Sequence, residues 1–96
     1  MSDVIISTGS ISEKYEVIDT IFALGSGEAG LLTRAPDNAF KGVKSELASK
    51  CKALGGDAVI FCQFEYRITL NEGLFGKKQG VEIFAYGTAV RMQRNL

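Results

Sequence analysis

A chain of 96 residues with 11 basic and 11 acidic side chains carries no net charge, which excludes the strong positive field that draws proteins onto nucleic acid or anionic lipid. Histidine is absent, and the two cysteines, Cys51 and Cys62, form no C-x-x-C pair, so the usual thiolate and imidazole frameworks for zinc or copper within one subunit are excluded as well. No apolar run approaches the roughly 20 residues of a membrane span, and the first eight residues lack the basic leader and apolar stretch of a signal peptide; the expectation is one cytoplasmic domain over residues 1–96, with neither membrane nor nucleic acid among its partners.

The run Val4 to Thr8 is rich in β-formers and is followed by turn chemistry at Gly9-Ser10 and Ser12-Glu13-Lys14, which predicts a first strand. Tyr15 to Ala23 places apolar residues on both alternating faces, Asp19 excepted, and predicts a second strand buried in part on each side. Leu24 to Arg34 is rich in glycine and small residues and reads as a loop, with a short turn around Leu31-Leu32. Pro36 and Asp37 then open the one clear helix, proline suiting the first turn and the carboxylate suiting the positive end of the dipole.

That helix is expected to run to about Leu54, with Phe40, Val43, Leu47, Cys51 and Leu54 on one core-facing stripe. Gly42 weakens its interior by up to about 1 kcal/mol relative to alanine and so is expected to mark a close approach by another segment. In Ala53-Leu54-Gly55-Gly56-Asp57-Ala58-Val59-Ile60 the helix ends at a left-handed glycine cap, Gly55, and turns at once into a strand.

Beyond Asp57 the period becomes two, which puts Ala58, Ile60, Cys62, Phe64, Tyr66, Ile68 and Leu70 on one side. On the other side Val59 and Phe61 give way to Gln63, Glu65, Arg67 and Thr69, so the first half is covered on both faces and the second half is wet on one. Asn71 to Gly80 reads as a long, glycine-punctuated connection. Val81 to Met92 forms a last strand, apolar on both faces.

The order β-β-α-β-β describes an α+β subunit: a four-stranded, largely antiparallel sheet with one packed helix. One helix covers one face. Tyr15 to Ala23 and Val81 to Met92 are apolar on the second face too, and the simplest cover is another copy of the chain, so the pattern predicts a homo-oligomer.

The helix-strand junction at 53–60, followed after a variable loop by Val81-Glu82-Ile83-Phe84-Ala85-Tyr86-Gly87-Thr88-Ala89-Val90, resembles the small bacterial YbjQ-like family, whose members are labelled heavy-metal-binding. With the two leading strands in the expected order, the resemblance covers most of the chain. It implies a mixed α+β subunit assembled as a ring, commonly a pentamer. The family has no established catalytic residues, so none is carried across.

Several residues invite a chemical reading. Gly25-Ser26-Gly27-Glu28-Ala29-Gly30 matches G-x-G-x-x-G after a strand, but that fingerprint needs a helix opening within the glycines, and the helix starts too late. Cys51 on the helix stripe and Cys62 on the strand are expected to be small buried hydrophobes in one helix-sheet interface. Lys41, Lys44 and Lys52 could hold a phosphate or carboxylate but are read as a solvated helix face. Asp57 is expected to bond backbone N–H groups, and Glu65 and Glu82 would need a carboxylate partner for acid–base work. Phe61, Phe64, Tyr66, Phe84 and Tyr86 are read as core and subunit packing rather than a base-stacking platform.

No catalytic, cofactor-binding or metal-ligating residue is assigned, and the cofactor stays unknown. The expectation is an oligomeric binding or scaffolding protein, not an enzyme, whose ring presents loop 24–34 or loop 71–80 to a small molecule, a metal or a protein. The alternatives are a hydrolase or transferase in which Asp57, Glu65 or Glu82 meets a neighbour's lysines between subunits, and a purely structural interaction module.

Overall fold

The computed structural model describes residues 3–28, 35–73 and 76–93. Four strands and one helix follow in the order β1 (Ile5–Ile6), β2 (Tyr15–Glu28), α1 (Ala35–Ala53), β3 (Ala58–Gly73) and β4 (Gly76–Met92). The strands form one mixed sheet in the order β1-β3-β4-β2. β1 runs parallel to β3, and the β3–β4 and β2–β4 pairs are antiparallel. This is the expected α+β subunit, with a first strand shorter than the run 4–8.

The helix lies on one face of the sheet through Ala39, Val43, Leu47 and Cys51, all buried with Ile21, Ala23, Val59, Cys62, Ile83, Ala85 and Ala89. The core row is therefore spaced by four throughout. Phe40 and Leu54, expected on that row, are exposed at 36% and 45%. The row is set by Gly25 of β2: a Cβ there would stand 2.5 Å from the Ala39 carbonyl oxygen and 3.1 Å from the Val43 nitrogen. The helix backbone rests on a strand position with no side chain. Around Gly42, by contrast, a Cβ would meet nothing within 4 Å, so the close approach expected at Gly42 occurs at Gly25.

That contact also explains why β2 does not stop at Ala23. It continues to Glu28, paired with β4 as far as Gly80, so residues 24–28 of the expected loop are strand. A glycine inside a strand often marks another backbone approaching closely. The expected turn at Leu31-Leu32 lies outside the described residues. The long connection expected at 71–80 is likewise mostly ladder: Leu70 pairs with Gln79, Asn71 with Lys78 and Gly73 with Gly76. Cross-strand hydrogen bonds hold the backbone there in spite of the glycines.

The helix ends as the sequence predicts. Gly55 has φ +82°, the Gly56 N–H donates to the Cys51 carbonyl at 2.9 Å and the Gly55 N–H to the Lys52 carbonyl at 3.0 Å. This crossed pair satisfies the last-turn carbonyls in a Schellman arrangement. The Asp57 N–H then donates to Val90 O at 2.8 Å, which carries the chain from the cap into the ladder.

A β-bulge interrupts β3. Register shifts between Ile60 and Gln63, Phe61 adopts φ 50°, and the Phe61 and Cys62 N–H groups both point away from β4, donating to Gly9 O and Ser7 O at 2.9 Å. One extra residue inverts the alternation. Val59 and Cys62 face the helix, whereas Ala58 and Ile60 join Val90, Ile11 and Tyr15 in a small second core. The expectation that Ala58, Ile60, Cys62 and Phe64 share one side is thereby overturned.

Candidate functional site

The sheet face away from the helix carries an apolar patch. Phe22 stands opposite Tyr86 and Leu24 opposite Phe84 across the β2–β4 ladder. The Phe22 and Phe84 ring centroids lie 5.9 Å apart and those of Phe84 and Tyr86 5.8 Å apart. Such spacings suit mutually packed aromatic rings. All four side chains are nevertheless exposed, Phe22 at 59%, and the helix packs on the opposite face of the sheet. On the β3 side the patch is edged by charge: Glu65 opposes Phe84, and Arg67 opposes Glu82, donating to it from Nε at 3.2 Å and Nη2 at 2.9 Å. Together with Phe64 and Tyr66 these residues line a concave groove.

A second apolar surface arises because the sheet outruns the helix. At about 3.3 Å per residue the 16 residues of β3 reach far beyond the 19 of α1, which rise about 1.5 Å each. The chain is correspondingly 60 Å long and about 20 Å across. Where the hairpin passes the helix start, Phe40 packs on Phe64 with ring centroids 4.8 Å apart. Beyond them Tyr66 and Ile68 are exposed at 74% and 58%, beside a groove that Asp37, Val81 and Ile83 complete.

On β2 three outward backbone groups are occupied by side chains. Lys50 Nζ donates to Phe22 O at 2.7 Å, the Leu24 N–H donates to Glu46 Oε2 at 3.3 Å, and the Thr20 N–H donates to Asp19 Oδ1 at 2.8 Å. Lys50 and Glu46 also pair with each other at 3.4 Å, and the Lys50 ammonium sits 4.6 Å from the Phe22 ring centre. The Glu46/Lys50 spacing is visible in the sequence as an ordinary helical ion pair. Its service to the strand edge is not, because that depends on how the helix lies across β2.

The residues singled out from sequence do not converge. Gly25 is buried under the helix and Gly27 and Glu28 lie in the strand, so the described half of G-x-G-x-x-G forms no phosphate cradle, and Ala29 and Gly30 lie outside the described residues. Lys41 is exposed, Lys44 lies 4.7 Å over the Phe40 ring, and Lys52 is exposed with an interaction of its own. Asp57 accepts from the Met92 N–H at 2.9 Å, tying the start of β3 to the end of β4. Its backbone-bonding role is the expected one, reached across the sheet. Glu82 is taken by Arg67, and Glu65 stands exposed beside Phe84.

Both thiols are fully buried in the helix-sheet core. Burial raises the Cys51 pKa, the negative charge of Asp57 raises it further, and backbone hydrogen bonds at Ala58 and Val90 act against the rise. Burial alone raises that of Cys62. The Cys51 thiol donates to Ala58 O at 3.4 Å. Neutral, buried thiols are inert. Iodoacetamide at neutral pH should therefore modify the native protein at least 100-fold more slowly than the denatured chain; equal rates by mass spectrometry would contradict this packing. Because the folded state favours the protonated thiols, their contribution to stability is full below the unfolded pKa of about 8.5 and is lost as pH rises above it.

The sequence model of a family described as "Putative heavy-metal-binding" matches residues 1–93. The chain belongs to this YbjQ-like family. A crystal structure of a protein of unknown function from the DUF74 family of Pediococcus pentosaceus superposes with a TM-score of 0.76 at 21% identity, covering 94% of this chain and 98% of that one. It shows the fold. No curated protein matches. The family is one of unknown function and not a known enzyme family.

The residues of this YbjQ-like chain do not fit the metal that the family description implies, at least within one subunit. Soft metals take thiolates and imidazoles; here imidazole is missing from the sequence and both thiols are buried and held neutral. Among the described residues no three Cys, Asp or Glu side chains gather as a ligand set. No described helix is long and apolar enough to cross a membrane.

Proposed function

We propose that the protein is a cytoplasmic homo-oligomeric binding or scaffolding protein, a closed ring that is a pentamer by family resemblance, rather than an enzyme. The observation that carries this reading is the aromatic patch of Phe22, Leu24, Phe84 and Tyr86 on the sheet face opposite the helix. Contiguous exposed apolar surface of this kind marks an interaction site, and among the described residues the one helix packs on the opposite face. Zero net charge leaves no global repulsion between copies. The segments 24–34 and 71–80 remain the proposed places for a small-molecule, metal or protein partner, and a metal site would have to be assembled from groups of several copies.

Native mass spectrometry of the untagged protein at low micromolar concentration, without chelators, should give one closed oligomer. Excess mass that disappears on denaturation would identify a bound ligand. A monodisperse monomer would overturn the reading.

A further inference from the structure

The bulge in β3 is held from outside its own hairpin. Phe61 keeps φ 50°, a left-handed backbone uncommon for a bulky residue. In a regular strand neighbouring amides point to opposite edges. Here two successive ones, of Phe61 and Cys62, turn to the same side and donate to Gly9 O and Ser7 O, each at 2.9 Å. Residues 5–9 complete the hold: the Ile5 N–H donates to Asp57 O at 3.1 Å and the Ser7 N–H to Val59 O at 2.9 Å, while the Gly9 N–H donates to Ser7 Oγ at 3.1 Å. On the other side β4 makes room with Gly87, where a Cβ would stand 2.7 Å from Val59 Cγ1 and 3.2 Å from both Cys62 Cα and Ile60 O.

We infer that residues 5–9 are a strap that selects the register of β3, and that release of the strap turns Cys62 out of the helix-sheet core. Counted without the extra residue, Cys62 falls on the face of Ala58 and Ile60, away from the helix, and Phe61 falls on the face of Val59. Either register puts an apolar side chain against the helix, so residue type does not choose between them. Hydrogen-bond acceptors do. Only the bulged backbone turns both amides to one edge, and among the described residues the strap supplies their two carbonyls. With the strap gone, both amides lose their acceptors and Phe61 keeps a strained conformation that nothing offsets. The strand then relaxes to the extended form and carries Cys62 to the outer face.

The strap is also the part of the fold that lets go first. β1 spans two residues and pairs with β3 at Ala58 and Val59. Val4 and Ile6 are only partly buried against the core, and Ile5 is exposed at 43%. Segments with so few buried apolar contacts open locally, at a free energy well below that of global unfolding. Cys51 has no such route. It lies in α1 one turn beyond Leu47, its thiol on Ala58 O, and emerges only when the helix lifts. Two equally buried thiols are thereby given different exits.

Iodoacetamide labelling of the wild-type protein, read at each cysteine by mass spectrometry after digestion, tests the strap. Protection is the rate in the denatured chain divided by the native rate for the same cysteine, which cancels intrinsic reactivity. Cys62 should be less protected than Cys51 by about tenfold or more. Equal protection would overturn the inference, because both thiols would then be reached through one global opening. Ser7→Pro removes the N–H that holds Val59 O and should lower the protection of Cys62 by about a further tenfold, with Cys51 unchanged and the circular dichroism spectrum retained. A folded Ser7→Pro protein with Cys62 as protected as before would also overturn it. Should that variant unfold, Phe61→Asn and Phe61→Val decide. Asparagine tolerates a left-handed backbone and valine does not, whereas valine is the better residue in a plain extended strand. Cys62 should be less protected in Phe61→Val than in Phe61→Asn by about tenfold; equal or reversed protection would sink the strap.

Discussion

Phe84→Glu should convert the proposed oligomer to folded monomers. Phe84 sits at the centre of the aromatic patch, between Phe22 and Tyr86, and directly opposite Glu65, with Glu82 two residues away on the same strand and face. A carboxylate placed there would be buried on association without a cation, because Arg67 is already committed to Glu82, and it would meet the like charge of Glu65. Burying an unpaired charge costs several kcal/mol. About 4 kcal/mol is already a thousandfold in dissociation constant. Within one subunit Phe84 is part-exposed, and its loss removes ring contacts of about 0.5–1.5 kcal/mol each, so the subunit keeps its fold. Light scattering after gel filtration, with circular dichroism alongside, reads both quantities. An oligomer that survives Phe84→Glu would place the interface elsewhere.

Gly25→Ala should be among the most destabilising single-methyl additions in the chain. The new Cβ would meet Ala39 O at 2.5 Å and Val43 N at 3.1 Å. Both are helix backbone, so no side-chain rotation relieves the clash. The helix has to lift from β2, loosening Val43 and Leu47, which are fully buried. Overpacking a close contact typically costs about 1–3 kcal/mol and occasionally more, and the backbone partners place this case at the upper end. Gly42→Ala is the natural control, on the same helix with open space around it, and should stabilise by up to about 1 kcal/mol through helix propensity. Opposite shifts in the urea midpoint are expected for the two alanines. A harmless Gly25→Ala would mean that the helix does not rest on that glycine.

The elements readable in the sequence are those in which local chemistry and tertiary packing agree. Pro36 and Asp37 at the helix start, the Gly55-Gly56 stop and the return to period two at Ala58 are each specified within a few residues. The departures come from partners distant in the chain. Gly25 reads locally as a loop residue, yet the helix backbone 14 residues later makes it a strand residue. The glycines near residues 73–80 likewise suggest a loop, yet the ladder between β3 and β4 continues through them. Phe61 has no turn signature, and its left-handed backbone is held by Gly9 O, fifty-two residues earlier. Alternation counted straight through that bulge assigns Ala58 and Ile60 to the wrong face. The aromatic patch was legible as an excess of two-faced strands. The side-chain cover of the β2 edge was not, since it depends on how the helix lies across that strand.

That cover also bears on how the chain fares at high concentration. Strand-on-strand growth into fibrils needs two receptive edges per molecule, one to accept and one to template the next arrival. Here Glu46 and Lys50, from the chain's own helix, occupy the Leu24 N–H and the Phe22 carbonyl of β2, so an incoming strand cannot pair at those groups without displacing them.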